Sequence, residues 1–182
     1  MVSFTPSFDV VGQLPALRRY ARALTRDDVL AEDLVHDTLV RAYEGRGSFR
    51  PDGDLRSWLF SILHNVFVSD VKRAQATQRR TERAGELAET ASEPEQEHRV
   101  RLAQLQAGFN SLPDEQRAVL HLVAVEGLAY QDAAAALGIP LGTLMSRLAR
   151  ARAALRNFEN AAMPAGGPVA LKIVGGTDDR AG

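Results

Sequence analysis

Apolar residues recur at three- and four-residue spacing along most of the chain, which predicts helices rather than strands. Leu14, Leu17, Ala21 and Leu24 make one stripe. Leu34, Val35, Leu39 and Ala42 make a second, behind the acidic start signal Asp27-Asp28. The longest stripe is Leu55, Trp58, Leu59, Ile62, Leu63, Val66, Phe67 and Val71, and it predicts a long helix with one face committed to a core. Between the second and third stripes lies "GRGSFRPDGD", Gly45 to Asp54, whose glycines, Pro51 and Asp52-Gly53 pair predict an ordered loop. The first half is therefore expected to be a small helical bundle that closes near Arg73.

The pattern then breaks. "AQATQRRTERAGELAETASEPEQEH" is poor in large apolar residues, basic at first (Arg79, Arg80, Arg83) and acidic later (Glu86, Glu89, Glu93, Glu95, Glu97). Such a stretch predicts a linker, partly helical at most. Helical periodicity resumes near Arg99 and runs to Phe109. In "SLPDEQRAVLHLVAVEG", Ser111 is the expected N-cap, Pro113 suits the first turn, and Asp114 and Glu115 complement the helix dipole. Gly127 can close that helix in a left-handed conformation. "LAYQDAAAALG" predicts a short alanine-rich helix closed by Gly138, and "IP" a turn. "GTLMSRLARARAALR" then opens the last long helix, expected to end near Phe158. The fold expected is all-α: two small helical domains, residues 8–74 and 99–160, joined by a flexible linker over 75–98. The tail, 161–182, carries a short apolar run between glycines and is expected to be mobile or to dock on a partner.

Charge sharpens this picture. The formal net charge is only -1, which argues against indiscriminate coating of nucleic acid but permits local patches. One such patch is Gly142 to Arg156, with four arginines and no acid. The absence of cysteine excludes disulfides, thiolate ligands and a thiol nucleophile. No apolar run approaches the roughly 20 residues of a membrane span, and the N-terminus lacks the pattern of a signal peptide. A cytoplasmic protein without membrane insertion is expected. No phosphate loop, nucleophile triad or metal cluster is present in the sequence, and His64 and His121 stand without ligand spacing, so neither an enzyme nor a cofactor or metal site is expected.

A short helix, a glycine-containing turn and a second amphipathic helix form the helix-turn-helix signature, in which the second helix enters the major groove. On a wheel of about 100° per residue, Leu144, Leu148, Ala151 and Leu155 fall in one apolar sector. Thr143, Ser146, Arg147, Arg150 and Ala154 cluster on the other side. Arginine can grip guanine bidentately, and serine or threonine can reach a base or a phosphate. Arg152 and Arg156 lie off that face, where backbone phosphates or internal ion pairs are their expected partners. A merely solvated basic face is the competing reading of the arginines taken alone.

Both halves together resemble one family, the bacterial sigma factors of the extracytoplasmic-function (ECF) type. "AEDLVHDTLVRAY" and "FRPDGDLRSWLFSILHNVFVSDVKR" look like sigma region two, and "LPDEQRAVLHLVAVEGLAYQDAAAALGIPLGTLMSRLARARAAL" looks like region four. The resemblance covers roughly residues 10 to 158 and places no third domain between the blocks. It implies a factor that binds core RNA polymerase, directs it to promoters and helps open the duplex, without covalent chemistry of its own. It further implies a stress-type regulon and restraint by an anti-sigma factor. The residues matching the polymerase-docking surface are Asp33, His36, Asp37 and Arg41, with histidine where relatives often carry glutamine. The loop "SFRPDGD" matches the family's base-capturing loop. Asn65, Ser69, Lys72 and Arg73 match the face that reads the −10 element, and cationic groups beside amide and hydroxyl groups suit single-stranded DNA. Tyr130, Thr143, Ser146, Arg147 and Arg150 match the −35 duplex reader. Relatives often have a basic residue at Met145 and a polar one at Leu141. Met145 falls on the flank of the wheel rather than on the groove face, so its change is expected to weaken general phosphate affinity more than it alters base choice. Phe60 points away from the apolar stripe and is open to two roles, stacking on a base or packing against a neighbouring helix. Trp58 is expected in the core.

Two other readings compete. An ordinary helix-turn-helix regulator explains the second half but not "DLRSWLFSILHN". A sigma mimic that titrates an anti-sigma factor explains the resemblance without promoter binding, although such mimics are usually fused to a receiver domain.

Overall fold

A computed structural model describes residues 8–50, 52–78 and 105–162, and these are helical with no strand among them. A 3-10 turn, Val11–Gln13, leads into α1, Leu14–Thr25. Arg26 ends α1 in the left-handed region at φ 58°. Asp27 then caps α2, Asp28–Glu44, its carboxylate accepting the Leu30 N–H at 2.9 Å, as the acidic start signal predicts. A 3-10 turn at Arg46–Ser48 opens the loop to α3, Leu55–Gln78. Asp54 performs the same capping service for α3, accepting the Ser57 N–H at 2.9 Å. The described part of α4 is residues 105–110. α5, Asp114–Leu120, runs into a π-helical turn at His121–Val125. Gly127, at φ 70°, reverses the chain. α6 is Tyr130–Leu137 and α7 is Leu141–Ala162.

Several boundaries differ from the sequence expectation. α3 continues past Arg73 to Gln78, and α7 past Phe158 to Ala162. Ser111 does not cap α5: its hydroxyl donates back to the Gly108 carbonyl at 2.8 Å, closing α4 instead, and Pro113 holds the N-cap position. Residues 79–104, which include most of the expected linker, lie outside the described residues, as do 163–182 of the tail.

The two halves share one core. α3 packs against α1 and α2 and also against α6, while α1 meets α5. Contact with several neighbours explains why α3 is buried on more than the one face its stripe predicts. Leu59, Phe60, Leu63 and Val66 are fully buried, whereas Trp58 is only partly covered. Phe60 therefore packs inside, edge-on to Tyr20 at 5.3 Å between ring centroids. Trp58 sits at the margin in an aromatic cluster with Phe8 and Phe49.

Polar groups stitch the halves together. Arg117 of α5 is wholly buried, which is unusual for arginine. Its guanidinium donates to the Ala23 and Leu24 carbonyls in the last turn of α1, to the Leu112 carbonyl and to Asp114. The last carbonyls of a helix have no partner within it, so Arg117 supplies the missing donors from the other half. Glu126, just after the π turn, has no exposed side-chain surface. It accepts from Arg19 of α1 at 2.9 and 3.0 Å, from Arg56 of α3, and pairs with His121 at 3.2 Å. Between these two clusters Tyr20 stacks on His121, 5.4 Å between centroids, and its hydroxyl meets His64 Nδ1 at 3.2 Å.

Candidate nucleic-acid interface

The helix-turn-helix is built as the sequence pattern requires. Ala133, Ala134, Ala136 and Leu137 bury the inner face of α6, their small side chains letting it approach its neighbours closely. Gly138, at φ 63°, caps α6 in the left-handed conformation, and a Cβ there would find open space but a strained backbone. Leu144, Leu148 and Ala151 are buried beneath α7, with Leu155 partly so. Burial of this row turns the opposite side of α7 to solvent.

The five residues expected to read duplex DNA do not behave alike. Tyr130 opens α6 and is exposed. Ser146 and Arg150 are exposed one turn apart, the Arg150 Nε donating to the Ser146 carbonyl at 3.4 Å. Thr143 is half-buried, and its carbonyl accepts the Ser146 hydroxyl at 3.0 Å. Arg147 is turned aside: only 23% of its side chain is exposed, and it pairs with Glu115 of α5 at 2.7 Å. Met145 and Leu141, 53% and 40% exposed, show more surface than Arg147 does.

The set expected to read the −10 strand lies along the C-terminal half of α3. Asn65, Ser69, Lys72 and Arg73 are all exposed. Ser69 donates to the Asn65 carbonyl at 2.7 Å, and Arg73 pairs with Asp70 at 3.5 Å. The packing of the halves brings members of the two DNA sets to one cleft: Lys72 and Arg147 both line it, with His64 at its wall. Burial, aided by the Arg147 charge, pushes the His64 imidazole down to about 4, so it is neutral near pH 7. The loop ahead of α3 is anchored by Phe49, whose ring lies 5.3 Å from that of Trp58.

Asp33, His36, Asp37 and Arg41 are exposed together on the outer face of α2. The structure adds neighbours that sequence reading did not single out. Val29, Val40 and Tyr43 are large apolar residues that remain exposed there. Val29, Asp33, His36, Val40 and Tyr43 follow one another at alternating four- and three-residue steps, the spacing with which one helix lies along another. On its other flank, Asp33 and Asp37 rim a groove floored by Leu30, Leu34, Phe67 and Val71, with Asp70 and Asp114 at the far side. That groove takes residues from both halves.

The interdomain residues Arg19, Arg56, Arg117 and Glu126 were not marked by the sequence, where each reads as an ordinary charge on a helix or turn. Among the described residues no cluster of histidine, cysteine, aspartate or glutamate could hold a metal ion, and no helix is long and apolar enough to cross a membrane.

Comparison with known proteins gives a consistent result. Residues 10–64 match the Sigma2 domain of PhyR, and residues 102–155 match Sigma-70, region 4. The ECF RNA polymerase sigma factor EcfG of Rhodopseudomonas palustris is 40% identical over 149 residues, 81% of each chain. The structure is similar to that of the sigma factor RpoE of Bartonella quintana, solved with the anti-sigma factor NepR. Here the TM-score is 0.73 at 33% identity, over 85% of this chain and 96% of that one. It also resembles CnrH solved with the cytosolic domain of CnrY, with a TM-score of 0.61 at 28% identity, over 85% and 86% of the two chains.

Proposed function

The chain belongs to the ECF RNA polymerase sigma factors, and from that premise we propose how its surfaces divide the work of transcription initiation. The outer face of α2 docks on core polymerase through Asp33, His36, Asp37 and Arg41. The exposed face of α3, Asn65 to Arg73, takes the −10 strand. α7 reads the −35 duplex, with Tyr130 of α6 beside it. The protein performs no covalent chemistry and needs no cofactor, and it works in the cytoplasm, where polymerase and promoter are.

The single observation that carries this reading is the stripe on α2. Three large apolar side chains, Val29, Val40 and Tyr43, are left in water on a stripe of coiled-coil spacing whose middle positions are Asp33 and His36, and such a face suits a helical partner. Substituting Val40→Asp together with Asp37→Lys should abolish binding to core polymerase, read by co-sedimentation, while circular dichroism stays unchanged. Undiminished binding would refute the assignment.

The packed arrangement also bears on regulation. By their names the two promoter elements lie about 25 base pairs apart, or about 85 Å of duplex at 3.4 Å per base pair. α6 resting on α3 places the readers far closer than that, so engaging both elements requires the halves to separate. An anti-sigma factor that grips both halves would keep them together. The groove between α2, α3 and α5 suits an amphipathic segment of such a partner, with an apolar floor and Asp33 and Asp37 on one rim to meet its cations. Arg26 also lines it, and Asp70 and Asp114 already pair with Arg73 and with Arg26 and Arg117. RpoE, solved with the anti-sigma factor NepR, and CnrH, solved with the cytosolic domain of CnrY, support the expectation of such a partner.

A second reading rests on the match of residues 10–64 to the Sigma2 domain of PhyR: a sigma mimic that binds an anti-sigma factor and no promoter. Promoter-dependent transcription with added core polymerase separates the two, since a mimic supports none.

A further inference from the structure

We propose that Met145, backed by Leu141, reads the C5-methyl group of a thymine in the −35 duplex. The inference rests on α7 being the −35 reader. It names a specificity contact on the side of the helix opposite to the one that the arginine pattern favours.

Three observations carry it. First, the buried row Leu144, Leu148 and Ala151 fixes which way α7 faces. At about 100° per residue, the direction opposite that row falls near Ser146, with Arg150 about 40° to one side and Met145 about 100° to the other, on the shoulder of the helix, and these two mark its borders. Second, the strip between those borders holds only small side chains in its first turns. Ala149 is exposed, and at Gly142 an added Cβ would meet nothing within 4 Å. A helix with such a surface can lie deep in a groove, and its bordering side chains then reach base edges. Third, the border groups differ in chemistry. Arg150 offers a cation and hydrogen-bond donors, whereas Met145 offers a soft apolar group more than half exposed.

An exposed methionine could equally meet an apolar pocket on another protein. The surroundings decide against that occupant. From Leu141 to Arg156 the helix carries four arginines and no acid. The partner should therefore be a polyanion that presents an isolated apolar group, and duplex DNA does so through the thymine methyl in the major groove.

The test uses the full chain assembled with core RNA polymerase on a promoter identified by transcript mapping. Each thymine of the −35 duplex is replaced in turn by uracil, which removes only the methyl group. At one position the wild-type holoenzyme should bind about three- to fivefold more weakly, the worth of one buried methyl. Met145→Ala should lose the same factor on the thymine duplex and show no further loss with uracil. Arg150→Ala should weaken binding yet keep the uracil effect, which separates the two borders. A uracil penalty that is absent, or that persists unchanged in Met145→Ala, overturns the proposal while promoter binding stands. If the wild-type holoenzyme forms no promoter complex at all, the −35 reading falls and the proposal with it.

Discussion

Replacing Glu126 by glutamine should open the molecule without unfolding either half. The carboxylate has no exposed surface and accepts from Arg19 at 2.9 and 3.0 Å and from Arg56. Hydrogen bonds to charged groups contribute about 1.5–3 kcal/mol each, and removing one partner of a buried pair costs about 3–5 kcal/mol. Both arginines are partly exposed, 49% and 35% of their side chains, so water can resolvate them once the carboxylate is gone. The net loss should therefore be about 2–4 kcal/mol, or about 30- to 1000-fold in the equilibrium between packed and separated halves. Glutamine retains the shape and can still accept, so the change isolates the charge. Small-angle scattering should show a larger radius of gyration, and hydrogen exchange should rise in α6 and along the side of α3 that it covers. Glu115→Gln is the control: Glu115, 69% exposed, and its partner Arg147 both belong to the second half, so the change removes no ion pair between the halves and a surface pair of this kind contributes about 1 kcal/mol at most. If Glu126→Gln scatters like the wild type and exchanges no faster, the buried carboxylate does not hold the halves together.

Two further outcomes follow from the same interface. Arg117→Met keeps much of the side-chain volume but leaves the Ala23, Leu24 and Leu112 carbonyls without their donor, and should lower thermal stability by about 2–4 kcal/mol in a melting experiment. Acid should loosen the packed form in two stages. His64, held neutral by burial and by the Arg147 charge, costs stability as pH falls from its ordinary 6.5 towards about 4, because the unfolded chain takes up the proton first. Glu126 follows at lower pH. Burial pushes its carboxyl up, but hydrogen bonds from Arg19 and Arg56 outweigh that and hold it below the usual carboxylate range, so its contribution is lost only when it is finally protonated. His121, whose imidazole burial also pushes down against the opposing pull of Glu126, belongs to the same first stage, so His64→Gln should shrink that stage of the pH-dependent melting curve and leave the second.

The helices themselves were legible from local physics. A stripe such as Leu144, Leu148 and Ala151 has one way to hide its apolar side, and a glycine after Leu137 supplies the left-handed cap that other residues resist. For the same reason the helix-turn-helix could be read from residue spacing, whereas the two motif blocks and their order were legible only as a family resemblance. Ser111 was misplaced because a serine before a proline fits either end of a helix, and only the geometry of α4 shows its hydroxyl turned back to Gly108.

What spacing could not supply is which side of each helix meets a partner from a distant part of the chain. Phe60 was ambiguous because α3 alone does not say whether Tyr20 covers it. Arg147 lies on the polar side of α7 by its spacing, and only the fold brings Glu115, on another helix, beside it. Arg117 and Glu126 look like surface charges in sequence, since a charge is buried only where several separate segments converge to satisfy it. The sequence by itself therefore determined the elements and the family of surfaces they carry. The tertiary structure alone decided which charges hold the halves together, because each of them is satisfied by segments far apart in the chain.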